Sequence, residues 1–474
     1  MKNYDLIVIG TGSAMNLVSP ILQQNPSMKI AVIEKDDPGG ICLTRGCIPT
    51  KILLYPAELI REIEHAKQLG IDVEIDKVKF PEIMARMRSL IDEDIENIRE
   101  GLSHSENIDF YPTVAKFVAP YKLKVGNKII TSKMIFLCIG SKPVIPAIVG
   151  LEEIRYQTSD SILHIGNLPK SLIIIGGGYI AAEYGHFFSA MGSKVTIIGR
   201  NPQFLPQEEP EVSAVAKREL GRHMNILTDH EAIKARINGN SKEITARNRI
   251  NGELASFIAE EVLIATGRGS NSDILHPEKA RIEIDDNGWI KVNEYLETSQ
   301  SNIWAFGDAN GNHLFKHVGN YESMVVYYNA ILKNKVEVDY HAIPSAVFTY
   351  PEIARVGLHE KEAITEYGED NIIIGYQKYE DTAKGMAMDV KDYFVKVILD
   401  NNRRILGAHI IGPQASILIQ EIINLMYTPD RSSLPISRSM HIHPALSEVV
   451  ERAIGRLMRP KDYHAFLEVM THYH

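Results

Sequence analysis

Asp5-Leu6-Ile7-Val8-Ile9-Gly10-Thr11-Gly12-Ser13-Ala14 stands near the start of the chain and decides how the rest is read. A short apolar run ends at two glycines one residue apart. An apolar segment suited to a helix continues to about Gln24, and a second run, Lys29 to Ile33, ends at Glu34. Strand, glycine turn, helix and strand make a βαβ unit. Gly10 and Gly12 permit the tight turn and let backbone N–H groups at the helix start, around Ser13 and Ala14, approach a pyrophosphate. Glu34, with Lys35 beside it, falls where a ribose hydroxyl would donate to a carboxylate. Met15 occupies the place of the usual third glycine, so the helix must pack on its strand in another way.

The pattern returns at Ser171-Leu172-Ile173-Ile174-Ile175, followed by Gly176-Gly177-Gly178-Tyr179-Ile180-Ala181 and the strand Lys194 to Ile198. Gly176, Gly178 and Ala181 fill a GxGxxA fingerprint. Two fingerprints, each flanked by its strands, imply two dinucleotides rather than one. The second unit ends Ile197-Ile198-Gly199-Arg200, without the acidic residue that holds an NAD ribose. An Arg beside a small residue can pair with a 2′-phosphate, so the expected nicotinamide is NADP.

At roughly 150 residues per domain, 474 residues predict about three domains. The 51 basic residues against 60 acidic ones, a net charge of −9, argue against binding a phosphate backbone, and no nucleic-acid partner is expected. Three cysteines in so long a chain cannot form a disulfide framework. No apolar stretch approaches the roughly 20 residues a membrane helix needs, and the N-terminus lacks a signal peptide's apolar core. A soluble, cytoplasmic protein is expected.

Cys42 and Cys47 lie in Gly39-Gly40-Ile41-Cys42-Leu43-Thr44-Arg45-Gly46-Cys47-Ile48-Pro49-Thr50-Lys51, next to the first nucleotide unit. In a regular helix, positions five apart have Cα atoms roughly 8 to 9 Å from each other, whereas a disulfide needs less than about 7 Å. A bridge therefore requires an irregular helix start, with which Gly46 and Pro49 are compatible. Metal ligation lacks a second ligand pair nearby, and the terminal His472 and His474 are not read as a metal site.

This GGxCxxxGCIPTK run after an FAD-type fingerprint resembles the class I pyridine nucleotide-disulfide oxidoreductases, and within them the dihydrolipoamide dehydrogenases. The resemblance spans nearly the whole chain. It includes Cys138-Ile139-Gly140-Ser141-Lys142-Pro143, Ala265-Thr266-Gly267-Arg268, Phe306-Gly307-Asp308 and the C-terminal His443-Pro444-Ala445-Leu446-Ser447-Glu448. Ala181-Ala182-Glu183 and the Ile442-to-Leu446 stretch also resemble mycothione reductases. Ile41, Thr44 and Arg45 depart from the family's usual Thr, Asn and Val. Arg45, a cation beside the thiols, is most simply an outward-pointing surface residue.

The resemblance implies an α/β fold with two Rossmann-like dinucleotide-binding domains and a C-terminal α+β dimerisation domain. The FAD domain is expected at 1–148 and 271–341, the NAD(P) domain at 149–270 and the interface domain at 342–474. By the same resemblance Cys42 is the interchange thiol and Cys47 the flavin-proximal one. His443, held by Glu448, is the acid–base group, and its bond to Pro444 is cis in the family. Lys51 and Glu183 form an ion pair beside the flavin, Tyr179 covers the ring, and Asp308 accepts from the ribityl chain. Gly10, Gly12, Ser13, Ala14, Glu34, Lys35, Gly40, Ala115 and Gly140 complete the expected FAD contacts. Gly176, Gly178, Ile180, Arg200 and Gly267 are those expected for the nicotinamide cofactor.

The implied function is an FAD-dependent, dihydrolipoamide dehydrogenase-like enzyme. It passes electrons between a small dithiol/disulfide substrate and NAD(P) as a homodimer with shared active sites, and a 2-oxoacid dehydrogenase complex is one conceivable setting. The competing readings are an NADPH-dependent reductase of another low-molecular-weight disulfide, mycothione or glutathione reductase-like, and a non-catalytic flavin redox sensor.

Overall fold

The computed structural model describes residues 1–472, with side chains through residue 469. The terminal histidines, His472 and His474, lie outside the described side chains. Three large sheets, of the six among the described residues, organise the chain.

The first sheet is parallel and five-stranded, in the order Ile303–Ala305, Ile135–Leu137, Leu6–Ile9, Ile30–Glu34, Ile108–Pro112. Its central strands are buried on both faces, which accounts for their uninterrupted apolar runs. Helix α1 (Met15–Gln24) packs Leu17, Val18 and Ile21 against Leu6 and Val8. Ala14 is fully buried in the same cluster, and Met15, in the place of the missing glycine, packs against that cluster. The strand Ile303–Ala305 returns to this sheet from late in the chain, on the far side of the second unit.

The second sheet is also parallel, in the order Gln157–Thr158, Glu261–Ile264, Ser171–Ile175, Lys194–Ile198, Asn225–Leu227. A three-stranded antiparallel meander, His230–Asn238, Ser241–Asn248 and Leu254–Ala259, belongs to the same part of the chain. The third sheet is antiparallel and six-stranded, in the order Pro344–Val347, Ile353–Gly357, Ile405–Ile411, Phe394–Asp400, Ile372–Lys378, Leu457–Met458.

The sequence predicts a cysteine-bearing helix with an irregular start. The structure has two helices, α2 (Gly40–Thr44) and α3 (Cys47–Ala66), separated by Arg45 and Gly46. The apolar periodicity from Lys79 to Gly101 is α4 (Phe80–Ser103), which buries Met84, Met87, Ile91 and Ile95. Among the described residues, no helix is long and apolar enough to cross a membrane.

Between the second and third sheets, the fully buried Lys396 amine meets Glu209 at 2.8 Å, Glu211 at 2.5 Å and Glu360 at 2.6 Å. Unpaired, a buried ammonium would cost several kcal/mol. Three carboxylates offset that cost and tie the two parts of the chain together.

Candidate redox site

A cavity of about 910 Å³ runs along the carboxyl ends of the first sheet, where open α/β sheets bind ligands. Its glycine wall has no room for side chains. Gly10 has φ +100°, and a Cβ there would lie 2.0 Å from the Cys138 carbonyl oxygen. Gly40 has φ +71°, and a Cβ would lie 2.5 Å from the Gly12 Cα. Ser13 lines the same cradle, while Ala14 faces the core instead. Glu34 accepts from the Thr11 backbone N–H at 3.0 Å and from its hydroxyl at 2.8 Å, so its carboxylate is fixed at the cavity's edge. Lys35 beside it pairs with Asp36, and Ala115 and Gly140 line the opposite wall. Asp308, at the far end, accepts from the Ser141 hydroxyl, and burial raises its pKa. A glycine cradle for phosphates with carboxylates at two points for sugar hydroxyls fits an extended dinucleotide such as FAD.

The second fingerprint forms its own loop. Gly176 has φ +134°, and a Cβ there would lie 2.1 Å from the Ala265 carbonyl oxygen. Gly178 caps α5 (Tyr179–Met191), and Gly267 also has a positive φ. These glycines and the exposed Arg200 lie off the cavity, but Tyr179 and Ile180 reach into its wall. Burial pushes the Tyr179 phenol up to about 12. The Arg249 guanidinium donates to the Arg200 carbonyl at 2.8 Å, which brings a second basic residue to the end of this strand.

In the wall of the cavity the break between α2 and α3 brings the Cys42 and Cys47 thiols close enough that each governs the acidity of the other. Their acidities diverge. Cys47 is lowered to about 7, chiefly by its bond with Cys42 and secondarily by the Lys51 charge, against the opposing effect of burial. Cys42 is pushed up by that same bond and by burial, with Lys316 pulling the other way. The first proton therefore leaves Cys47. The Lys51 amine lies 2.8 Å from both Glu183 oxygens. Glu183 also accepts from the Phe348 backbone N–H at 3.1 Å, and the amine sits 4.7 Å over the Phe348 ring. One ion pair thus joins α3, α5 and a residue just beyond the third sheet's first strand.

His443 Nδ1 lies 3.0 Å from Glu448 Oε1, and Glu448 also accepts from the Ala445 N–H. The His443 bond lowers the Glu448 pKa, and the His443–Pro444 peptide is cis. This pair is not brought to the thiols of its own chain: His443 does not line the cavity, and its side chain is 65% exposed.

The surface reading of Arg45 needs correction. Its side chain is only 22% exposed and pairs with Asp36 at 2.7 Å and Asp160 at 3.4 Å. The reason is tertiary, because Asp160 arrives from just beyond Gln157–Thr158, the edge strand of the second sheet. Sequence reasoning also missed Lys316, the first residue of the helix Lys316–Val326. Its amine reaches the Ser13 hydroxyl at 3.2 Å and has no carboxylate within 4.0 Å among the described residues. No local pattern marks it. Arg268 and Ser141 were inside quoted motifs, yet their mutual bond, 2.7 Å from Nε to the hydroxyl, was not foreseen.

Comparison with known proteins agrees with this geometry. Residues 4–333 match the pyridine nucleotide-disulphide oxidoreductase family model, and residues 343–454 match that family's dimerisation domain. The chain is 35% identical to a mycothione reductase of Mycobacterium tuberculosis over 473 residues, covering 96% of this chain and 99% of the relative. It is 32% identical to a dihydrolipoyl dehydrogenase of Synechocystis sp. over 478 residues, covering 96% and 98%. Among solved structures, the HOCl-induced flavoprotein disulfide reductase RclA from Escherichia coli, in its Cu(II) complex, superposes with a TM-score of 0.85. It has 26% identity, with 96% of this chain and 99% of that one covered. The chain belongs to the pyridine nucleotide-disulphide oxidoreductase family, whose members work with FAD and a nicotinamide dinucleotide.

Proposed function

We propose that this protein reduces or oxidises a low-molecular-weight disulfide/dithiol through Cys42 and Cys47, with FAD and NAD(P) as cofactors. The observation that carries the reading is the thiol pair itself. Two neighbouring thiols of opposed acidity lie in the same cavity as a dinucleotide cradle and the Lys51–Glu183 pair.

When bound, FAD supplies two-electron exchange between nicotinamide hydride and a disulfide. The residues of the chain do the rest. In the reducing direction, neutral His443 takes the Cys42 thiol proton as the Cys42 sulfur attacks one sulfur of the substrate disulfide. A mixed disulfide forms, and the departing thiolate takes a proton from a His443 imidazolium. The Cys47 thiolate then attacks the Cys42 sulfur, restoring the Cys42–Cys47 bond and releasing the second substrate thiolate. The reverse sequence oxidises a dithiol, with neutral His443 taking the thiol proton. Glu448 holds the other ring nitrogen and stabilises the imidazolium. The Lys51 charge favours the Cys47 thiolate.

The substrate reading divides between lipoamide-type dithiols and another small thiol disulfide. The absence of a carboxylate beside Gly199, with Arg200 and Arg249 gathered at that strand end, favours NADPH and hence the reductive direction. The dimerisation domain supports a homodimer in which His443 of one subunit serves the thiols of the other. The three large sheets, one in each part of the chain, support the domain division at 1–148 with 271–341, 149–270 and 342–474. The paucity of cysteine suits a reducing compartment such as the cytoplasm.

A steady-state panel of lipoamide, glutathione disulfide and mycothiol disulfide, run with NADPH and with NADH, tests both choices. The favoured reading expects NADPH to be preferred and one small disulfide to dominate; a strong preference for NADH with lipoamide reverses it. In the Cys42→Ser/Cys47→Ser variant, turnover of every disulfide should vanish. Retained turnover would refute the thiol assignment.

A further inference from the structure

We propose that Arg45 is a positioning residue of the redox pair, whose guanidinium clamps the break between α2 and α3 and so holds the two sulfurs at exchange distance. The inference rests on the reading of Cys42 and Cys47 as the redox couple. Arg45 and Gly46 are the only residues between the two helices, and their backbone angles set the separation of the sulfurs. Gly46, at φ −131° and ψ −118°, lies so close to α2 that a Cβ would stand 2.8 Å from the Ile41 carbonyl oxygen, and it has no side chain of its own to fix the turn. Arg45 supplies the hold. Its guanidinium reaches Asp36 at 2.7 Å, Asp160 at 3.4 Å and the Thr44 hydroxyl at 3.3 Å.

Both anchors are themselves fastened. The Asp36 backbone N–H donates to Glu34 at 3.1 Å. Asp160 accepts from the Ser159 hydroxyl at 3.0 Å and lies 3.6 Å from Arg268, whose Nε donates to the Ser141 hydroxyl that holds Asp308. A planar fork suits two divergent carboxylates, which an ammonium cannot serve equally well. These two acids hold the guanidinium while also meeting Lys35 and Arg268, respectively. The cations that bear on the thiols are Lys316 for Cys42 and Lys51 for Cys47. Arg45 therefore acts through geometry.

The consequence is a redox potential. Closing the Cys42–Cys47 bond releases two protons and two electrons, which reduce one glutathione disulfide to two glutathiones. The equilibrium rises with the effective concentration of one thiol about the other. Loosening the turn lowers that concentration, and each tenfold fall makes the couple about 30 mV more oxidising. Loss of a thiolate-stabilising charge would move the potential the opposite way.

The test equilibrates FAD-loaded wild type, Arg45→Met, Arg45→Lys and Asp160→Asn in glutathione redox buffers. Free thiols are then trapped with iodoacetamide and counted on the Cys42 and Cys47 peptides by mass spectrometry. The clamp predicts a rise of about 30 mV in Arg45→Met, and smaller rises of the same sign in Arg45→Lys and Asp160→Asn. Should Arg45→Met not fold, the other two variants decide. Unchanged potentials would overturn the proposal, as would a fall in Arg45→Met with Arg45→Lys at the wild-type value. If wild type itself forms no Cys42–Cys47 disulfide at any poise, the functional reading fails first. If it does form one, a negative result counts against the clamp alone.

Discussion

The cysteine end and the histidine end of this chain are finished to different degrees. Cys42 and Cys47 sit inside a cavity with their supporting groups, the Lys51–Glu183 pair and the glycine cradle, all supplied by the same chain. His443 and Glu448 are already paired at 3.0 Å, yet the imidazole stands out from the surface beside the exposed Met440 and Ile442. A group prepared for proton transfer but turned away from its own thiols is half of a site. The difference teaches that the thiol pair and its supporting groups are gathered within one chain, whereas the His443–Glu448 pair stands apart from them.

The most severe test of that contrast is His443→Gln. Disulfide turnover should fall by about a hundred- to ten-thousandfold, the usual worth of a general acid–base group. Reduction of the bound flavin by NADPH, followed by stopped-flow absorbance, should be nearly unaffected. Equal loss in both would join the two ends into one function and undo the distinction.

A smaller effect is expected at the cysteine end. With its pKa depressed to about 7, Cys47 is mainly thiolate above that pH and mainly thiol below it. Alkylation of Cys47 in the reduced protein should therefore rise as pH passes from 6 to 8. Removing the Lys51 charge in Lys51→Met should shift the midpoint upward by about one pH unit, or roughly tenfold less thiolate at a given acidic pH. A midpoint that stays in place would show that the bond from Cys42 alone sets the acidity.

The mildest test mixes chains. Inactive Cys42→Ser/Cys47→Ser and inactive His443→Gln subunits, unfolded and refolded together in equal amounts, should recover about one quarter of wild-type activity. Half of random dimers are then mixed, and each mixed dimer holds one complete site. No recovery would place both ends of the site in a single chain.

Legibility followed sequence distance. Gly10, Gly12 and Glu34 were readable because a βαβ unit is a local device, and its glycines sit where a Cβ would strike Cys138 or where two loops nearly touch. The cysteine spacing likewise demanded a helix break, and the structure supplies one at Arg45 and Gly46. Arg45's partners were hidden, since Asp160 is far along the chain and no periodicity connects the two. Lys316 was hidden for the same reason: its meeting with Ser13 spans 303 positions. The surface reading of Arg45 failed because charge alone does not reveal whether a carboxylate from another segment lies opposite.

What the residues specified on their own was the kit: two nucleotide folds, a vicinal thiol pair, a histidine with its carboxylate and a strand end without an acid. Backbone sterics and hydrogen-bonding spacing act over a few residues, so these parts can be read directly. Only the folded chain decided how they meet. The return of Ile303–Ala305 to the first sheet sets Asp308 opposite the glycine cradle, Glu183 crosses from another helix to Lys51, and Arg45 is pulled inward between two acids. Such contacts depend on which distant surfaces are pressed together to leave water. That is a property of the packed core rather than of any segment.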